Sequence, residues 1–380
     1  MADVTNYIDR LVAELCPDGV EYRPLGDVVE KNYGGGTPSK AKEEYWDGDI
    51  PWASVGDLSN DLMEIFDTRS KITPAGVSGS STNVVPAGAV IVAIKIAPGK
   101  MKIAGVDLAI NQDIRGLVLN DLMNARFLTY YFRTLRFAGH GTIVKSITNK
   151  RLMDTEVPVP PLEIQEAIVE ILDKFTNLEA DLKAELEART LQYEYYRDSL
   201  FEALDCPRVP LDSFAKIKNG KTYKDFGAGN IPVYGSGGIM TYVDRSSYDK
   251  PTVLIPRKGS LGNLFYLEEP FWNVDTIFYT EIDEEQVIPK FLYYFLKTAH
   301  LEDLNTAGGV PSLTQKVLNK VLIPVPSLEE QQRIVDILDR FDALTSSLSE
   351  GLPAELAARR SQYEYYRDQL LTFPRKGENQ

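Results

Sequence analysis

Between residues 163 and 204 the apolar positions Ile168, Ile171, Phe175, Leu178, Leu182, Leu186, Tyr193, Tyr196 and Leu200 recur mostly at three- and four-residue steps, with no proline or glycine among them. That spacing predicts one long helix with an apolar stripe, a rod of about 60 Å at a rise of about 1.5 Å per residue. The pattern returns at Ile334, Ile337, Phe341, Leu344, Leu348, Leu352, Leu356, Tyr363, Tyr366 and Leu370, where Gly351–Leu352–Pro353 predicts a kink. The prolines of "PVPP" (158–161) and "PVPS" (324–327) should end the preceding elements and start each helix. The blocks ahead of these helices read differently. Short apolar runs, "AVIVAIKI" (89–96) and "TVLIPRKG" (252–259), predict buried strands among Gly/Pro turns. "NARFLTYYFRTL" (124–135) and "PKFLYYFLKTA" (289–299) predict one amphipathic helix per block. The fold class expected is α+β: two mixed globular blocks alternating with two long helices.

The alternation is an internal repeat. "PVPPLEIQEAIVEILDKF" (158–175) matches "PVPSLEEQQRIVDILDRF" (324–341), and "AELEARTLQYEYYRD" (184–198) matches "AELAARRSQYEYYRD" (354–368). The offset grows from 166 to 170, so the second copy carries four extra residues, around "SLSEGLP". The blocks echo each other faintly: "GDIPW" (48–52) with "GNIPV" (229–233), and "SITNKRL" (146–152) with "SLTQKVL" (312–318). The division is 1–22, an N-terminal segment; 23–157, the first block; 158–207, the first helix; 208–323, the second block; and 324–380, the second helix and tail. Two striped helices in one chain most simply bury their stripes against each other. QYEYYRD, present in both, reads either as seam or as a docking patch, since tyrosine beside arginine is an interface composition. The docking reading takes Tyr193, Tyr195, Tyr196 and Arg197 with Tyr363, Tyr365, Tyr366 and Arg367.

Charge changes this picture. The net charge is −14, which argues against a polyanion partner until it is divided. By segment it is −4, +1, −8, 0 and −3, so the blocks are near neutral and the helices carry much of the excess acid. Contact with nucleic acid would fall to local basic clusters in the blocks. Cys16 and Cys206 are too few for a disulfide framework or zinc site. No apolar run of membrane length and no signal pattern occurs, so a cytoplasmic protein with no membrane contact is expected.

Catalytic signatures fail. The only Pro-Pro is Pro160–Pro161, so the Asp/Asn-Pro-Pro-aromatic motif of amino-methyltransferases is absent. "AKIKNGKT" (215–222) fits a loose phosphate-loop pattern, but its context is wrong for one. Both blocks do keep an early Gly/Ser/Thr/Lys loop, "GGGTPSK" (34–40, with Lys40) and "NGKTYK" (219–224, with Lys221). Both keep a late Ser-x-Thr-x-Lys: Ser146/Thr148/Lys150 and Ser312/Thr314/Lys316. After the buried strand the first block offers Lys95, Lys100 and Lys102, and the second Arg257 and Lys258. Recurrence at corresponding places points to a shared phosphate-contacting face. Trp52, Tyr223 and Tyr234 read as core rather than as base contacts.

The globular–helix–globular–helix order, the two helix starts, "QYEYYRD", "GTPSK", "INQDI" (110–114) and "VLIPRKGSLGNLFY" (253–266) resemble the DNA-specificity subunit of type I restriction-modification systems. The resemblance implies that each block is a target-recognition domain reading half of a bipartite site on double-stranded DNA. It implies an antiparallel coiled coil that spaces the halves, and a chain with no catalysis or cofactor of its own. Two adenine-N6 methyltransferase subunits, which would use S-adenosylmethionine, should dock on it. Restriction/translocase subunits, which would use ATP and Mg, could join. The N-terminal segment should pack near the end of the second helix. Two other classes stand beside this one: a coiled-coil scaffold that binds only proteins, and a nucleotide hydrolase using 215–222.

Overall fold

In a computed structural model the chain divides into two compact units, Met1–Ala180 with Ala358–Gln380, and Asp181–Ala357. The structure describes residues 2–60, 62–137, 145–305, 311–346 and 351–377.

In the first unit the buried run Val90–Ala93 is central to a five-stranded sheet. The order is Val29–Gly34, Ile114–Leu119, Val90–Ala93, Met101–Ala104 and Glu64–Ile65, antiparallel except for the last pair. A four-stranded sheet carries Trp46–Ala53, which pairs in parallel with Leu108–Ile110. The helices are α1 (Ala2–Leu15), α2 (Pro74–Ser78), α3 (Ala125–Thr134), α4 (Asn149–Met153) and α5 (Leu162–Glu202), of which α5 gives only its part up to Ala180 to this unit. Tyr22–Pro24 pairs with Glu156–Pro158, and the following prolines open α5 as expected.

The second unit repeats the plan. Its four-stranded sheet runs Ala215–Asn219, Ile277–Ile282, Thr252–Pro256, Phe265–Leu267. Its three-stranded sheet runs Gly238–Val243, Ile231–Gly235, Trp272–Asn273, the last pair parallel. The short pair Arg208–Pro210 with Leu322–Pro324 matches that of the first unit. Here α6 (Pro289–Thr298), α7 (Gln315–Leu318), α8 (Leu328–Ser346) and the start of α9 (Leu352–Leu370) join the later part of α5. Over the described residues the second stem is α8 and α9, with a bend at Gly351, where the kink is expected. The four-residue insertion falls largely on 347–350, outside the described residues. A strand does precede "NGKT", but no helix follows it, so the phosphate-loop context fails.

The stripe on the long helices is not one uniform seam. At the start of α5, Ile164, Ile168 and Leu172 are fully buried with Phe127, Leu128 and Tyr130 of α3 in one core. At the start of α8, Ile334, Val335 and Leu338 do the same with Phe291, Leu292 and Tyr294 of α6. Farther along, Leu178 is exposed. The helix starts thus belong to their own domains' cores, because an amphipathic helix of each block needs an apolar cover.

One set of polar residues fixes each block to its long helix, identically in both units. Gln165, fully buried, accepts from the Asn124 amide (2.8 Å) and donates to the carbonyls of Leu122 (2.8 Å) and Pro160 (2.7 Å). Gln331 accepts from the Ile288 amide (2.8 Å) and donates to Gln286 (2.9 Å) and Pro326 (3.0 Å). The Tyr130 hydroxyl donates to Asp173 and the Tyr294 hydroxyl to Asp339, each at 2.6 Å. Arg126 ion-pairs with Asp173 and Glu64, and Lys290 with Asp339. Burial first, then the hydrogen bond to the carboxylate, pushes both tyrosine hydroxyls well above the ordinary phenol range.

The first unit also ties its termini. Val20 forms a parallel bridge with Arg375, whose guanidinium lies 4.2 Å from the Tyr22 ring centre and ion-pairs with Glu156 (2.9 Å). Gly19, at φ +91°, passes so close to Arg375 that a Cβ would stand 2.8 Å from its backbone.

Candidate nucleic-acid interface

Backbone hydrogen bonds assemble the basic loops in the same way in both units. The Ile94 amide donates to Asp113 O, and the Arg257 amide to Thr276 O, each at 2.8 Å. Ile147 donates to Ile94 O, and Leu313 to Arg257 O. Ile96 donates to Lys145 O, and Gly259 to Pro311 O. Isolated bridges join Lys95 to Ser146 and Lys258 to Ser312. The loop after the central strand is thereby fastened to the late Ser-x-Thr-x-Lys loop. Ile96 (φ +67°) and Gly259 (φ +83°) hold the same left-handed turn, which costs glycine little and isoleucine more.

The early loop joins the cluster through glycines that no larger residue could replace. A Cβ on Gly35 would lie 1.8 Å from Asn111 O, and one on Gly220 2.0 Å from Val274 O. The next residue donates its amide to the sheet: Gly36 to Ile110 O and Lys221 to Asn273 O, each at 2.9 Å. Its carbonyl accepts from an indole, Trp52 at 3.0 Å in one unit and Trp272 at 2.9 Å in the other. Gly36, not Lys40, is therefore the counterpart of Lys221. Trp52 is buried, as expected of a core residue. Thr37 bonds to Gln112 through their side chains.

The cations differ in freedom. Lys40, Lys100, Lys221, Lys258 and Lys316 are exposed. Lys95 ion-pairs with Asp113 at 2.8 Å, whereas Thr276 takes that place in the second unit. Lys150 pairs with Asp154 one turn along α4. Arg257 lies over the Phe278 ring, 5.8 Å from its centre. Thr148 and Thr314 are helix N-caps, accepting from the amides of Arg151 (3.1 Å) and Val317 (3.3 Å), which accounts for their recurrence without a phosphate.

Lys102, expected among the cations of the DNA face, is instead buried. It is 2% exposed, in a strand whose residues are all buried, and its ammonium bonds to Asn60 Oδ1 and Leu62 O. Its charge is spent inside the domain and cannot meet a phosphate.

The two QYEYYRD segments split between seam and surface. Tyr193 and Tyr363 are only 6% and 8% exposed, so neither is available to a partner. Tyr193 meets Phe341 at 6.4 Å between ring centres. Arg197 and Arg367 lie 5.7 Å over these buried rings and ion-pair with Asp198 and Asp368, which largely covers them. Tyr196 stacks on Phe341, and Tyr366 on Phe175. Only Tyr195 and Tyr365, at 69% and 60%, point fully outward. Of the residues expected to dock a partner, Tyr195 and Tyr365 are thus the most exposed, with Tyr196 and Tyr366 partly open.

Among the described residues no group of His, Cys, Asp and Glu could hold a metal ion, and no helix is long and apolar enough to cross a membrane. Two repeated α+β domains with matched basic loops, each bolted to a long helix, define a duplicated architecture. The family described as type I restriction modification DNA specificity domain matches twice, over residues 17–188 and 205–358, and the chain belongs to it. It is 29% identical to a putative type I restriction enzyme specificity subunit of Haemophilus influenzae, over 93% of this chain and 96% of that one. It is 30% identical to the EcoprrI type I specificity subunit of Escherichia coli, over 91% and 92%. The fold is similar to the crystal structure of an S subunit from M. genitalium, with TM-score 0.55, 19% identity and coverage of 93% and 96%.

Proposed function

We propose that this chain is the DNA-binding specificity subunit of a type I restriction-modification complex, each domain reading one half of a bipartite duplex site. The observation that carries this is the recurrence of one loop network in both units on dissimilar residues, with Lys95 and Lys258 fastened beside Ser146 and Ser312. Lysine and arginine on such a network meet phosphate, while neighbouring side chains read base edges. The long helices set the gap between the half-sites. Tyr195 and Tyr365, one per repeat, suit two copies of one partner, an adenine-N6 methyltransferase. Chemistry then belongs to partners: S-adenosylmethionine to the methyltransferase, ATP and Mg to any translocase subunit. The likeness to specificity subunits supports this reading.

Methylome sequencing of a host carrying the methyltransferase, with and without this gene, tests it. The expected result is one asymmetric motif with a gap of fixed length that disappears with the gene. No motif, and no DNA retention by the purified complex, would leave a protein scaffold instead.

A further inference from the structure

The second domain carries an apolar ribbon that has no counterpart among the described residues of the first. Residues 231–243, "IPVYGSGGIMTYV", hold no charge. Ile231–Gly235 and Gly238–Val243 form a hairpin whose second strand is the open edge of its sheet. On that edge Ile239, Met240 and Tyr242 are 50%, 57% and 52% exposed. In the first domain the strand at the corresponding place, Trp46–Ala53, has the same parallel partner but passes into the turn Val55–Ser59, closed by Asp57 on Ser54 and Arg69.

The hairpin tip is part of the cationic loop cluster. The Ser236 amide donates to Thr276 Oγ1 (3.2 Å), and Asn263 Nδ2 donates to Ser236 O (3.1 Å). Thr276 O accepts the amides of both Arg257 and Lys258. Met240 leans over Gly235, where a Cβ would stand 2.8 Å from its sulfur. An open, uncharged edge left in water is an aggregation hazard, so a partner surface should cover it. The major groove is about 12 Å wide and admits a two-stranded ribbon; there apolar side chains meet thymine methyls and base edges. Cations at the tip fit the phosphates that flank such a groove.

We infer that the Ile231–Val243 hairpin enters the major groove, with Ile239, Met240 and Tyr242 as specificity-determining residues of one half-site. This rests on the reading that the second domain meets DNA. The test is the triple variant Ile239→Ala, Met240→Ala, Tyr242→Ala, expressed with its methyltransferase partner and followed by methylome sequencing. All three side chains are half exposed, so folding should survive, and a melting curve verifies it. The expected result is relaxed base preference in one half-site, about tenfold or more at one or more positions, with the other half and the gap unchanged. An unchanged motif, or equal weakening of both halves, overturns the inference while leaving the DNA reading standing. So does a concentration-dependent dimer of the wild type that the triple variant abolishes, since the edge would then pair with a second copy. A wild type that marks no bipartite motif fails earlier and removes the reading beneath it.

Discussion

Replacing Gln331 by leucine keeps a side chain of similar size and removes three hydrogen bonds at once. The Ile288 amide and the carbonyls of Gln286 and Pro326 lose their side-chain partner at a site where Gln331 is fully buried. An unsatisfied buried backbone group costs about 1–3 kcal/mol. Leucine's greater ease of burial offsets part of the total, and small backbone shifts recover some more. The net expectation is about 3 kcal/mol, the lower end of the sum.

The loss should be local, because Ile288 caps α6. Hydrogen exchange read by mass spectrometry resolves it better than a melting curve, since a chain of two units need not unfold in one step. Peptides covering 286–298 should exchange about 150-fold faster, the equivalent of about 3 kcal/mol. Peptides covering 124–134 should not change. Gln332→Leu is the control, because that side chain is exposed and bonds to Asp336 on its own helix. If Gln331→Leu leaves 286–298 protected, or if Gln332→Leu unprotects it equally, the latch is not what holds α6 to α8.

Lys258→Ala should lower the salt slope of DNA binding by about one, whereas Lys102→Ala should destabilise the first domain and leave that slope alone, as a salt titration of purified complexes would show. Tyr363→Ala should destabilise the first unit by about 3 kcal/mol, read as faster hydrogen exchange of its protected peptides, while Tyr365→Ala should leave that exchange within about 0.5 kcal/mol and weaken capture of the methyltransferase in a pull-down. Burial by itself would raise the Asp57 carboxyl, but bonds from Ser54 and Arg69 outweigh it and hold the carboxyl below the ordinary aspartate range. Its contribution is therefore full above the unfolded value of about 4 and lost as pH falls through the lower folded value; Asp57→Asn should flatten that acid limb in a pH series of melts. Deleting four residues within 345–352 removes the surplus of the second repeat, worth about 6 Å at helical rise and close to two base-pair steps of about 3.4 Å, so the methylated motif should change its gap and keep its halves.

The elements whose energy is local were legible. Three–four periodicity found α5 to within two residues at its C-terminal end, and the short helices Ala125–Thr134 and Pro289–Thr298 came from the same rule. Side chains used across the fold were not. Lys102 reads as a surface lysine because its neighbours reveal nothing of Asn60 and Leu62, which accept hydrogen bonds from its ammonium. Gln165 and Gln331 look like solvated helix positions, and only their repetition 166 residues apart could have singled them out. The early loops resemble each other in their Gly/Ser/Thr/Lys composition, but which positions correspond rests on Gly35 and Gly220, through a backbone approach that leaves no chemical signature beyond glycine itself. Thr148 and Thr314 both cap helices, a role that their recurrence by itself does not reveal.

That contrast explains how two domains of one chain can diverge and stay alike. The latches use directional side chains in buried places, Gln165 and Gln331, Tyr130 and Tyr294, Asp173 and Asp339, and any change there strands a polar partner. Both copies keep the same residue type at all three. The loops are held by amides and carbonyls, which every non-proline residue supplies. Thus Ile94 can stand where Arg257 does, Lys95 where Lys258 does and Asp113 where Thr276 does, all within one hydrogen-bond pattern. A frame held by side chains, carrying a face held by backbone, lets recognition change without refolding the domain.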